Sequence, residues 1–274
     1  MGGGARGLAH VGVIKALERV GLAPDVIAGT SMGGLVGGLY AAGFSSARMT
    51  EMISGLDLDR AVGETRRHPL LNRSRNLFEY MLLSDTKNRL FTKIGFDQED
   101  AIEAYLKKCV GNVRIEDLPV RFLCNAVDLA SGREVLFTRG KLYRALRATM
   151  SFPVVFEPVR MDRMILMDGG ILNSAPVEAA REAGAKVAVL VDIHRPLKRM
   201  PREKLKSAFQ LVQRTVEVAT AASFTERVRH ADFVIRVPID QGVFQFSKPK
   251  AIVAKGERIA LARLDDLKKA IGAG

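Results

Sequence analysis

An α/β fold, with a mainly parallel central sheet covered by helices on both faces, is what this chain predicts. Three observations carry that expectation. Short apolar runs that read as buried strands alternate with helical patterns along most of the sequence, the pattern of a sheet covered on two sides. One such run, "VIAG" from Val26, passes through a glycine-rich turn straight into an apolar helix. The composition, 47% hydrophobic and 26% charged over 274 residues, is that of a globular chain able to bury a sizeable core.

The elements follow in order. Residues 8–20 set Val13, Ala16, Leu17 and Val20 on one face and Lys15, Glu18 and Arg19 opposite, a helix of period 3.6 stopped at Gly21. After the "VIAG" strand, "LVGGLYAAG" reads as a second helix. Later strands are "RFLCNAVDL", "REVLFTR", "MILMDGG", "KVAVLVDI" and "DFVIRVPI", with helical patterns around 142–150, 175–183, 202–228 and 256–271. The "RMDRM" stretch reads as a local hairpin, which would make the sheet mixed.

Residues 57–97 interrupt the alternation. Between Arg60 and Ile94 apolar clusters mix with eight Lys/Arg against three Asp/Glu, so one domain over 1–274 with a lid insertion at 57–97 is the expected organisation. A second basic stretch, "RPLKRMPREKLK", begins at Arg195.

The formal net charge of +12 favours anionic partners. Nucleic acid is the weaker choice, since there is no Trp, aromatics are 6% and no nucleic-acid-binding signature appears. An anionic membrane surface is the stronger one, with Arg66, Arg67, Arg73 and Arg75 supplying charge and Leu70, Leu71 and Phe78 apolar contact. A solvated basic face is the bland alternative. No apolar run reaches the ~20 residues of a membrane span, and the first residues have neither signal-peptide character nor, with Arg6 at the sixth position, a myristoylation pattern. A cytoplasmic protein, peripheral at the membrane, is expected. Cys109 and Cys124 both lie in apolar stretches and read as buried thiols, with no disulfide framework or zinc site.

Three stretches carry chemistry. "GGGARG" places Gly2, Gly4 and Gly7 in the G-x-G-x-x-G pattern ahead of a helix. The dinucleotide reading is weak, because Asp25 precedes the next apolar run instead of ending it, and Leu8 excludes a P-loop. Bare N–H groups before a helix suit any anion, a phosphate or a developing oxyanion. "GTSMG", Gly29 to Gly33, is G-x-S-x-G between a strand and a helix, the setting of a nucleophile elbow with Ser31 at its tip. "MDGG" ends a strand at Asp168 and turns at Gly169 and Gly170; Asp-Gly is a common turn pair, yet strand ends are where such sheets bind ligands, and Asp168 could meet Ser31 there as a general base. In a conventional triad His194 is the one good third member, with His10 packing near the glycine loop, His68 at the surface and His230 at a helix end.

Together these blocks resemble the patatin-like acyl hydrolases and phospholipases, specifically the small single-domain bacterial members. "GGGARGLAHVGVIKALE" is similar to the family's oxyanion block, "IAGTSMGGLVGGLYAAG" to its nucleophile elbow and "DGG" to its aspartate block. "NAVDLASGREVLFTRG" and "LRATMSFPVVFEPV", with Ser151–Pro153, resemble further family segments. The resemblance covers nearly the whole chain. It implies a three-layer α/β/α patatin-like fold and a Ser31–Asp168 dyad instead of a triad. The backbone N–H groups of Gly2, Gly3, Gly4 and Ala5 would form the oxyanion hole, and Arg6 would order that loop. The implied activity is hydrolysis of fatty-acyl esters of phospholipids or lysophospholipids through an acyl-enzyme, with no metal or organic cofactor. The competing readings are an acyl-binding regulatory protein with an idle site and a nucleotide-binding module. The family also carries an apolar strand just before the glycines, where this sequence has Met1, so the first sheet strand is expected to be missing and the natural chain to begin upstream.

Overall fold

The computed structural model describes residues 1–55, 99–153, 156–205, 208–243, 246 and 248–272. The expected lid at 57–97, with Arg66, Arg67, His68, Leu70, Leu71, Arg73, Arg75 and Phe78, lies outside the described residues.

A short 3-10 turn, Gly4–Leu8, leads into α1 (Ala9–Arg19). Its apolar stripe buries Val11, Val13 and Ala16, and Lys15 and Arg19 reach across to Glu257 of α8 (Pro249–Leu261) at 2.8 and 2.9 Å. β1 (Val26–Gly29) follows, then α2 (Met32–Ala41). α2 starts three residues earlier than the apolar pattern suggests and holds four glycines. Each glycine in a helix interior costs about 1 kcal/mol relative to alanine. Three of them let the helix lie flush on the sheet and on the helix Leu142–Thr149: Gly34 abuts Cys124 and Thr149, Gly37 abuts Ile27, and Gly38 abuts Phe122 and Leu146.

Two further helices are absent from the sequence reading, α3 (Ser46–Gly55) and α4 (Glu99–Val110). The sheet then continues with β2 (Arg121–Asp128), β3 (Arg133–Phe137), the helix α5 (Leu142–Thr149), β4 (Val159–Met161) and β5 (Met164–Asp168). After α6 (Val177–Glu182), β6 (Val189–Asp192) and β7 (Phe233–Arg236) flank the long α7 (Ala208–Val228). The helical pattern over 256–271 splits into α8 and α9 (Leu264–Ala270).

The sheet is more mixed than the alternation of helices and strands implies. β1–β2 and β6–β7 are parallel, whereas β2–β3, β2–β5 and β4–β5 are antiparallel. For β2–β3 and β4–β5 the reason is local. β4 and β5 form the hairpin read from "RMDRM", turning at Asp162 with φ 54°, and β2 returns directly into β3. Short connections of this kind reverse the chain, while parallel pairing needs a long crossover.

The register fixes a further point. Cys124 pairs with both Gly29 and Phe137, so β1 and β3 take opposite edges of β2. Ala126 to Asp128 pair with both β3 and β5, so those two also take opposite edges. β1 and β5 therefore lie in tandem along one edge of β2 and run towards each other. β6 and β7 form a separate two-stranded ladder among the described residues. Residues Met1 to Gly3 run beside the end of β6, where the Ile193 N–H meets Met1 Sδ at 3.3 Å and the Gly2 N–H donates to the Ser174 carbonyl at 3.0 Å.

Candidate active site

Ser31 sits between β1 and α2 with φ 54° and ψ −127°. For a residue with a side chain this conformation costs on the order of 1–3 kcal/mol and persists only where the surroundings over-determine it. They do so here. The Ser31 N–H donates to Thr149 Oγ1 at 2.8 Å and the Gly33 N–H to the Thr30 carbonyl at 2.9 Å. The tight turn also brings the backbone of Gly33 and Gly34 against Gly29, within the space a side chain on Gly29 would fill. The G-x-S-x-G spacing thus forms the sharp strand–turn–helix elbow, with Ser31 at the N-terminus of α2.

Asp168 arrives from the other direction, at the end of β5 and paired with Ala126. Sequence reasoning put both groups at one shared carboxyl edge of a parallel sheet; the tandem strands instead bring two chain ends together head-on. The Asp168 N–H donates to the Ser151 carbonyl at 2.9 Å, and its Oδ1 accepts from the Gly170 N–H at 2.8 Å. Burial pushes its carboxyl up to about 6, against the Ser31 hydroxyl, within hydrogen-bonding reach, and the Gly170 N–H, which both favour the carboxylate.

The glycine loop lies against the same point: a methyl on Gly2 would stand 3.3 Å from Ser31 Cβ. The four N–H groups of this loop are not equivalent. Gly2 donates to Ser174, and Ala5 donates to the Val243 carbonyl at 2.8 Å. Those two are committed to the fold. Among the described residues no hydrogen bond engages the N–H of Gly3 or Gly4. Gly7 packs against Met32, behind Ser31, and Gly169 against Asn125. A cavity of about 380 Å³, ample for a small ligand, takes in Gly2 to Gly4, Ser31 and Asp168.

A model of the patatin-like phospholipases matches residues 1–181. The chain belongs to the patatin-like phospholipase family. Among curated relatives, lysophospholipase NTE1 of Mycosarcoma maydis is 29% identical over 96% of this chain, and its namesake in Scheffersomyces stipitis is 33% identical over 70%. This chain spans only 14% and 11% of those proteins. Among solved structures, VipD from Legionella pneumophila has a TM-score of 0.48 at 14% identity, covering 97% of this chain and 66% of that one.

Other residues of this patatin-like domain brace the elbow and the aspartate, and motif spacing alone did not single them out. The Asn173 carbonyl accepts from Thr30 Oγ1 at 3.0 Å and from Asn125 Nδ2 at 2.8 Å. Glu134 Oε1 accepts from Asn125 Nδ2 at 2.7 Å and Asn173 Nδ2 at 2.9 Å. This network ties β2, β3, the turn after Asp168 and the residue before Ser31. Ser151, whose carbonyl holds Asp168, is itself held by the buried Arg147, Nη1 to Oγ at 2.7 Å. The family segments around Ser151 and "NAVDL" were the sequence signal for part of this shell; Asn173 had none.

The histidines are elsewhere engaged. His194 lines the cavity, but its ring stacks on Phe224 at 4.7 Å, and no hydrogen bond joins it to Ser31 or Asp168 among the described residues. Burial lowers its pKa; Asp192 opposes that and Arg6 adds to it. His10 is buried, held neutral by its surroundings, and its Nε2 lies 2.8 Å from the Met1 carbonyl. His230 pairs with Glu178. Among the described residues no hydrogen bond joins the Arg6 side chain to the glycine loop. That side chain faces the cavity with Nε buried and unpartnered; burial lowers its pKa, with Glu217 opposing and Arg195 adding. Among the described residues no His, Cys, Asp and Glu cluster could hold a metal ion, and no helix is long and apolar enough to cross a membrane.

Proposed function

We propose that this domain is a serine acyl hydrolase that cleaves fatty-acyl esters of phospholipids or lysophospholipids with a Ser31–Asp168 dyad. The observation that carries the reading is the strained Ser31 hydroxyl in reach of a buried carboxyl raised to about 6, beside a glycine loop with two uncommitted N–H groups.

In this mechanism the Asp168 carboxylate takes the Ser31 proton as Oγ attacks the ester carbonyl carbon. The carbonyl oxygen becomes an oxyanion, met by the Gly3 and Gly4 N–H groups. Each well-placed donor of this kind supplies roughly 3–4 kcal/mol of transition-state stabilisation. Collapse of the intermediate expels the alcohol, which takes its proton from Asp168, and leaves the acyl group on Ser31. Asp168 then deprotonates a water that attacks the acyl-enzyme, and the fatty acid leaves. A base near 6 is ionised at neutral pH yet more basic than an ordinary aspartate, as the first step requires. Apolar side chains on the cavity wall, among them Phe152, Ile171 and Val216, give the acyl chain a dry surface.

Labelling with a serine-directed fluorophosphonate, followed by peptide mapping, tests the reading. The label should sit on Ser31 and abolish release of fatty acid from a short-chain ester. Labelling elsewhere, or full turnover by a labelled protein, refutes it.

A further inference from the structure

The basic stretch beginning at Arg195 has no part in the chemistry above, yet it borders the same cavity. Arg6, Arg195, Lys198, Arg199 and Arg214 all line that space, against two carboxylates, Asp168 and Glu217. Glu217 pairs with Arg214 at 3.1 Å. Among the described residues no carboxylate pairs with Arg195, Lys198 or Arg199. The loop is nonetheless anchored: Arg214 Nη2 donates to the Lys198 carbonyl at 2.7 Å, and Arg195 Nη1 reaches the Asp240 carbonyl at 3.4 Å. Deeper in, Arg6 presents its buried, unpartnered Nε–H. A buried charged donor without an acceptor is unfavourable unless something fills its place.

We propose that this cationic wall is a phosphate subsite, taking the glycerol-linked phosphate of the lipid while the acyl ester lies at Ser31. The inference rests on the ester-hydrolase reading for its substrate. Guanidinium groups match phosphate oxygens with paired N–H donors, and lysine adds a point charge. The glycerol unit of a lysophospholipid carries ester and phosphate a few bonds apart, so one small cavity accommodates both. Partial exclusion of water strengthens each of these contacts relative to an open surface.

Two soluble esters with the same short acyl chain test this, a 1-acyl-glycerophosphocholine and a 1-acylglycerol, both below their critical micelle concentrations so that no lipid surface is present. The readout is the ratio of kcat/KM for the phosphocholine ester to that for the neutral one. The double variant Lys198→Gln/Arg199→Gln should lower the ratio about tenfold or more, chiefly through KM of the phosphocholine ester, and Lys198→Arg/Arg199→Lys should recover most of it. An unchanged ratio overturns the subsite. If the wild-type chain hydrolyses neither ester, the hydrolase reading fails, and calorimetry with glycerol 3-phosphate, inorganic phosphate and glycerol decides the subsite by itself. Binding of glycerol 3-phosphate that the double variant weakens about tenfold supports it. No binding, or inorganic phosphate binding as tightly, overturns the assignment to a lipid phosphate.

Discussion

The two sides of the cavity are built in opposite ways. Around Ser31 and Asp168 most polar groups are bonded to the fold, through Thr149, Ser151, Asn173, Glu134 and the Gly170 N–H, with the side-chain oxygen Oδ1 of Asn125 and the Ser174 hydroxyl as exceptions. Around Arg6 and residues 195–199 the charges outnumber their partners among the described residues. The difference separates positioning from reception. A strained nucleophile and a buried base keep their geometry only if neighbours hold them. A surface that receives an anion needs donors the fold has left unspent. The glycine loop spans both conditions, with the N–H groups of Gly2 and Ala5 committed and those of Gly3 and Gly4 without an acceptor among the described residues.

Removing the proposed nucleophile should give the largest effect. Ser31→Ala should cut hydrolysis of a p-nitrophenyl ester by roughly 10³-fold or more and abolish fluorophosphonate labelling, while the fold survives. Wild-type turnover by folded Ser31→Ala would sink the dyad.

Asp168→Asn should be nearly as damaging to activity and opposite in sign for stability. The folded carboxyl at about 6 lies above the ordinary 3.8, so between those values the native state holds the proton more tightly than the unfolded chain. Stability from this group is fully present below pH ~4 and is lost as pH rises through about 6. The aspartate should therefore cost on the order of 2–3 kcal/mol at pH 8, and Asp168→Asn should melt higher than wild type at pH 8 but not at pH 4. The wild-type kcat/KM should climb with pH to a plateau above about 6. A variant no more stable at pH 8, or a flat activity profile, contradicts the burial that sets this base.

Much of this was legible in the sequence. Ser31 and Asp168 sit in stretches whose local geometry is set by glycine spacing, and spacing is visible in a single chain. The tandem placement of β1 and β5 was not, because the edge of β2 that each strand takes depends on pairings between remote residues, Val26 with Arg121 and Ala126 with Asp168. The free and committed N–H groups of the glycine loop were likewise hidden, since their acceptors, Ser174 and Val243, are remote. α4 did carry a stripe, Ile102, Leu106 and Val110, but a narrow one beside the interruption at 57–97.

Weakening the positioning side at one remove should give an intermediate effect. Thr149→Val removes the acceptor for the Ser31 N–H with little change of shape. The strained turn then has an unpaired donor, a loss of about 1–3 kcal/mol in stability, and a less fixed nucleophile. kcat should fall about tenfold with KM nearly unchanged, since the group lost positions Ser31 and touches no substrate. A change confined to KM would place Thr149 in substrate binding instead.

The smallest effect is expected at the residue a conventional triad would make essential. His194 borders the cavity, but its imidazole is stacked on Phe224, and its backbone N–H is tied to Asp192 Oδ1 at 2.7 Å. Burial already disfavours its protonation, whereas the Ser31 hydroxyl acts on the Asp168 carboxyl, favouring its ionised form. His194→Ala should therefore leave kcat on a short neutral ester within a few fold, and the rise of activity with pH should stay near 6, because Asp168 sets it. The triad alternative predicts a loss comparable with that of Ser31→Ala and disappearance of that rise. Combining His194→Ala with Asp168→Asn sharpens the choice: with Asp168 as the base, the double variant is no worse than Asp168→Asn alone, whereas two independently contributing groups would multiply their losses.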